Sequence, residues 1–218
     1  MAIIDLLRRL ARAAVAFSFV FASLSASAGV YDDLLKAIEN NDTEQVTSIL
    51  KRGMDVNTVD KWGNTLLMLA VEKGNLELVR FLINHRARVG TRNQYGDTPL
   101  MMASLKGHLE IVKVLVGAGA EINHTGWTPL IYAAFEGRDE VIRFLLEKGA
   151  EIDAQAPNHA TALMLAARNG HVEAVRILLD SDADTDIKTA DGTTALKWAR
   201  EKKHESVVEL LKKAGAEE

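Results

Sequence analysis

Apolar and polar residues in this chain keep one clock. A leucine recurs at Leu34, Leu67, Leu100, Leu130, Leu163 and Leu196, and an alanine at Ala37, Ala70, Ala103, Ala133, Ala166 and Ala199. A branched residue follows at Val46, Val79, Val112, Ile142, Val175 and Val208. Polar columns run beside these. Thr65, Thr98, Thr128, Thr161 and Thr194 are spaced by 33, 30, 33 and 33 residues. Glu44, Glu77, Glu110, Glu140 and Glu173 form a second polar column, which Ser206 closes. Independent columns that share one step, including its one short interval, mark an internal repeat.

Each period predicts a helix, a turn and a second helix. Threonine is a good N-cap, and Pro99 and Pro129 sit in a first turn, where proline is tolerated. The alanine column lets neighbouring helices approach. Gly74, Gly107, Gly137 and Gly170 separate the first helix from the second. The glutamates fall in the first turn of the second helix, where the helix dipole favours an acid. That helix is expected to bury Phe81/Leu82, Phe144/Leu145 and Ile177/Leu178, and to end at Gly53, Gly119 and Gly149. The predicted class is all-α.

With Thr98-Pro99-Leu100-Met101, Thr128-Pro129-Leu130-Ile131 and Thr161-Ala162-Leu163-Met164, the chain resembles the ankyrin-repeat family. Lys106-Gly107-His108-Leu109-Glu110-Ile111-Val112 and Gly119-Ala120-Glu121-Ile122-Asn123 complete the pattern. The resemblance implies an ankyrin-repeat solenoid over residues 29–218 with short hairpin fingers. About six repeats are expected, at 31–62, 63–95, 96–125, 126–158, 159–191 and 192–218. The first and last read as caps with polar outer faces. Two departures stand out. The family's histidine after Thr-Pro-Leu is replaced by Met68, Met101, Ile131, Met164 and Lys197, so apolar packing is expected where histidine would hydrogen-bond. The step of 30 removes three residues between Asn123 and Gly126. That predicts a stunted finger between repeats three and four, and a notch in the row of fingers.

Residues 1–28 differ in kind. Arg8, Arg9 and Arg12 precede an apolar run from Ala13 to Ala22, and Ala26-Ser27-Ala28 fits a small-residue cleavage site. The pattern reads as a secretory signal peptide. The run is shorter than a bilayer span of about 20 residues. The expected location is periplasmic or secreted, with an uncleaved membrane anchor as the alternative. Export by bacterial ankyrin-repeat proteins makes the periplasm the location that the resemblance implies.

Composition then narrows the chemistry. Of 218 residues, 48% are hydrophobic and 26% charged, an ordinary globular balance. The absence of cysteine excludes disulfides, thiolate metal sites and cysteine nucleophiles. A net charge of −4 argues against nucleic acid as the main partner. Without residues 1–28 the chain carries 23 basic and 29 acidic residues, which favours partners with a basic patch. His108, His171 and His204 share one repeat position, so packing and capping account for them. His85, His124 and His159 fall near helix ends or fingers and form no ligand spacing. Met68, Met101 and Met164 hold equivalent positions and read as core, as do Tyr132 and Trp198. Gly117-Ala118-Gly119-Ala120 ends a helix and is not a dinucleotide loop. No catalytic, cofactor or metal constellation is expected.

The informative residues are exposed ones. Lys61, Trp62, Gln94, Tyr95 and Trp127 map to fingers, and Leu105, Phe135 and Arg168 to open positions of the first helices. Trp62 and Tyr95 share a column, as do Leu105 and Phe135. Aromatic anchors inside a polar rim describe a protein-binding hot spot. For Trp127, packing against the next repeat remains the alternative. The expected function is a non-enzymatic scaffold that holds another protein on its concave face and fingers. The expected state is a monomer, with no bound membrane after cleavage. A second reading is an accessory that delivers haem or a metal to an exported enzyme such as a catalase. His124, beside the stunted finger, is its candidate residue.

Overall fold

The computed structural model describes residues 29–217. The expected signal segment lies outside the described residues. Of the described residues, those up to Asp55 and those from Val56 onward form two compact units. In the first, residues 29–39 (α1) are helical, followed by α2 (Thr43–Lys51). Asp42 caps α2 by accepting a 2.9 Å hydrogen bond from the Gln45 amide. Leu34, Ala37, Ile38, Val46 and Ile49 are its buried residues.

The second unit repeats one motif five times. Its inner helices are α3 (Leu66–Glu72), α5 (Pro99–Lys106), α7 (Pro129–Phe135), α9 (Ala162–Asn169) and α11 (Ala195–Glu201). Its outer helices are α4 (Leu76–Asn84), α6 (Leu109–Gly117), α8 (Asp139–Glu147), α10 (Val172–Asp180) and α12 (Glu205–Lys213). Among the described residues there is no strand, only an isolated antiparallel bridge between Val59 and Thr65. No described helix is long and apolar enough to cross a membrane.

The columns explain the packing. Each inner helix begins at a threonine whose hydroxyl accepts a hydrogen bond from the third amide inward, as Thr65 does from Met68 at 3.2 Å and Thr128 from Ile131 at 3.2 Å. The leucine and alanine columns are buried, with Ala70, Ala103, Ala133, Ala166 and Ala199 fully so. Inner helices approach one another more closely than outer helices do. On the outer helices Leu82, Leu145, Ile177 and Leu178 are buried, but Phe81 and Phe144 are half-buried. They flank the core instead: Phe81 stacks on His85 at 4.0 Å, and the Lys148 ammonium lies 5.5 Å from the Phe144 ring.

The two departures have structural consequences. Met68, Met101, Ile131 and Met164 are buried, while Lys197 is exposed. Packing is not their whole role. The thioethers of Met101 and Met164 accept hydrogen bonds from the amides of Thr98, at 3.2 Å, and Thr161, at 3.5 Å. A soft acceptor closes each cap from the histidine's position. The stunted finger is also visible. Four hairpin turns close with a pair of backbone bonds, as in Asn93 N to Asp97 O and Gly96 N to Asn93 O, both 3.0 Å. Among the described residues no such pair closes 123–127.

Candidate functional site

The site residues stand on two supports, the fingers and the exposed side of the inner helices. Finger geometry follows from short polar side chains that bond the turn's own amides. Asp60 accepts from the amides of Trp62 and Asn64, both at 2.8 Å. Asn93 accepts from Tyr95 at 2.9 Å and Asp97 at 3.0 Å. These turns push the intervening aromatics outward. Trp62 is 44% exposed and Tyr95 73%. The Lys61 ammonium sits 4.1 Å from the Trp62 ring centroid. Gln94 joins the two fingers, with its amide bonded to Trp62 O at 3.1 Å and its side chain to Lys61 O at 3.1 Å. Its role is therefore to hold the fingers in register. A matching bond joins Ala190 N to Asn158 O at 3.1 Å. Between these two finger pairs lies the truncated segment, so the notch interrupts the row.

Trp127 stands at that notch. It is 36% exposed, and its ring lies 5.3 Å from that of Tyr132 in its own repeat. Tyr132 is half-buried, and its hydroxyl donates a 2.6 Å hydrogen bond to Asp97. This corrects the assignment of Tyr132 and Trp198 to the core, since Trp198 is also only half-buried. Both belong to the column of Leu69, Met102 and Leu165, which borders the open side of the inner helices. Leu69 and Met102 are half-buried there too, and only Leu165 is buried, so the column lies at the edge of the core. The Arg168 guanidinium covers the Trp198 ring at 5.2 Å.

Leu105 and Phe135 are half-buried in the neighbouring column, where Arg168 is exposed. The backbone of all three is held by the next repeat. Leu105 O accepts from Arg138 Nε at 3.0 Å, Phe135 O from His171 Nε2 at 3.0 Å, and Arg168 O from His204 Nε2 at 3.1 Å. The histidines occupy N-cap positions without capping them, contrary to the expected capping role. They reach backward because Gly137 and Gly170 leave room. A Cβ on either glycine would lie 2.6 Å from the ring, and both have positive φ. The site residues thus sit in three local groups: Lys61–Trp62–Gln94 with Tyr95 in the adjoining finger, Trp127–Tyr132–Asp97, and Arg168–Trp198, with Leu105 and Phe135 on the inner helices α5 and α7.

Charge is segregated. The inner helices and the turns after them carry Lys73, Lys106, Arg138 and Arg168, then Lys197, Arg200, Lys202 and Lys203. Only Glu72, Glu136 and Glu201 oppose them. The outer helices carry six basic residues (Arg80, Lys113, Arg143, Arg176, Lys212, Lys213) and nine acidic ones (Glu77, Glu110, Asp139, Glu140, Glu147, Glu173, Asp180, Glu205, Glu209). The inner helices and their turns therefore carry a net positive charge and the outer helices a net negative one, so the inference of a basic-patch partner does not transfer to the inner helices.

His124 has both ring nitrogens shielded from solvent and without a hydrogen-bond partner. Burial first, then the Arg92 charge, hold it below the usual histidine range. Among the described residues no three His, Asp or Glu side chains converge as for a metal ion.

No curated protein matches the chain. A family profile described as ankyrin repeats in three copies matches residues 34–125, 93–156 and 152–218. Its matched segments span nearly every helix described above, and the chain belongs to the ankyrin-repeat family.

Proposed function

We propose that this chain is an exported, non-enzymatic scaffold that holds another protein on its inner helices and fingers. Ankyrin repeats are generally protein–protein interaction modules. The observation that carries the reading here is the set of half-exposed side chains Leu105, Tyr132, Phe135 and Trp198 on the open side of the inner helices, with Trp127 at the notch beside them. Their helices are already fixed by caps and by bonds from the next repeat, so little ordering entropy opposes association. Aromatic anchors with cations around them have the composition of a hot spot and its rim. Export rests on the basic, apolar and small-residue succession of residues 1–28.

A crosslinked pull-down from the host's exported fraction tests the binding reading. One bait is the native chain and the other carries Trp127→Ala and Phe135→Ala. A protein captured by the first and lost from the second is expected. Equal capture by both baits, or none, overturns the reading. N-terminal sequencing of the protein from that fraction tests export, with Gly29 expected as the first residue.

A further inference from the structure

We infer that the inner face takes an extended acidic segment of the partner, with one aliphatic or aromatic anchor between its acids. This rests on the binding reading above and names the chemistry of its partner.

The arrangement is local and ordered. Leu105 and Phe135 form an apolar centre on α5 and α7, both half-buried. Exposed cations bracket it: Lys106 follows Leu105 directly, and Arg168 continues the same column on α9. Neither Lys106 nor Arg168 has an ion-pair partner among the described residues. Arg168 is held against an aromatic face, with its guanidinium over Trp198 at 5.2 Å. Such a cation is fixed in place yet keeps its N–H edge free for a carboxylate.

Spacing sets the ligand. Packed helices lie about 8–10 Å apart, so Lys106 and Arg168, two repeats apart, are separated by about 20 Å. An extended chain covers that in about six residues at ~3.3 Å each. The fitting segment therefore has an acid, an apolar anchor near its middle, and a second acid about six residues after the first. The acidic outer helices repel the same segment, so complementarity also selects the face. Each exposed ion pair contributes little and is screened by salt, so recognition should weaken as salt rises.

The test uses the full chain and three libraries of labelled peptides about ten residues long. All vary the anchor over Leu, Ile, Met, Phe, Tyr and Trp. Flanks are Asp/Glu in the first, Asn/Gln in the second and Lys/Arg in the third. Fluorescence anisotropy reads binding. The acidic library is expected to contain the tightest binders, weakened about tenfold by the double variant Lys106→Glu/Arg168→Glu. Raising salt should weaken them too, and the outer-face variant Arg80→Glu should not. Equal binding by neutral or basic flanks overturns the inference, as does indifference to the charge reversal or failure of every library. Equal displacement of the peptide by a single-stranded oligonucleotide overturns it as well, because the face would then read only polyanions. If peptides fail while the pull-down still loses a protein with Trp127→Ala and Phe135→Ala, the scaffold reading stands and only the acidic ligand falls.

Discussion

Tyr132 Oη donates a 2.6 Å hydrogen bond to Asp97 Oδ1. The bond ties the second finger of this unit to the inner helix that follows the truncated one. Where the ordinary finger-to-finger backbone bond is missing, a side-chain bond spans the gap. Burial first, then the Asp97 hydrogen bond and charge, raise the Tyr132 phenol well above its ordinary value of 10.0.

Tyr132→Phe removes that bond and leaves the Asp97 carboxylate short of a donor. The expected cost is about 1–2 kcal/mol, read as a lower urea midpoint. The pH dependence follows with a definite sign. The folded state holds the phenolic proton more tightly than the unfolded chain does. The bond's contribution is complete below pH ~10 and is lost as pH rises above it. The native chain should therefore lose stability more steeply than Tyr132→Phe in that alkaline window. Parallel curves for the two proteins would show that the bond carries no stability.

Gly170 has φ 76° and Gly119 φ 85°, so both pay the left-handed backbone cost when a side chain is added. Only Gly170 meets a neighbour, the His204 ring at 2.6 Å, while Gly119 has open space. Gly119→Ala should cost about 1–2 kcal/mol. Gly170→Ala should cost about 1–3 kcal/mol more, because the ring must leave its bond to Arg168 O. Equal unfolding midpoints for the two variants would show that the close approach is immaterial.

What sequence reveals here is decided by how a column faces its neighbours. Thr65, Thr98, Thr128, Thr161 and Thr194 announced their caps because the cap is a local bond within four residues. The short step between Thr98 and Thr128 announced the stunted finger for the same reason. Tyr132 and Trp198 misled because their column is otherwise apolar, at Leu69, Met102 and Leu165. Polarity alone does not separate a buried column from one that edges the open side. The capping role assigned to His171 and His204 failed because their partners, Phe135 O and Arg168 O, lie one repeat back. Net charge misled because it sums over inner helices, outer helices and connecting segments that differ in sign.

Leu130 sits between the threonine cap of α7 and the alanine column, 1% exposed. Truncation there leaves a cavity that the closely packed inner helices have little freedom to fill. Leu130→Ala should cost about 2–5 kcal/mol, as core leucine truncations do. The exposed Arg80→Glu serves as the comparison in urea unfolding. A midpoint shift no larger than that of Arg80→Glu would contradict the packing described.

Arg138 does in its repeat what His171 and His204 do in theirs. Its backbone angles, φ −86° and ψ 72°, are close to the −79° and 81° of His171 and the −88° and 73° of His204. Each side chain donates to the carbonyl of the equivalent residue one repeat back. Arg138→Ala leaves Leu105 O without its donor and should cost about 1 kcal/mol. The 3.5 Å pair of Arg138 with Glu136 adds little, because both side chains are about 40% exposed. Arg138→His should therefore restore most of the loss, since an imidazole on this backbone already reaches Phe135 O from position 171 and Arg168 O from position 204. If Arg138→His unfolds at the same urea concentration as Arg138→Ala, the backward bond is not what arginine supplies, and its aliphatic stem over Gly107, where a Cβ would lie 2.7 Å from Cδ, becomes the stabilising contact.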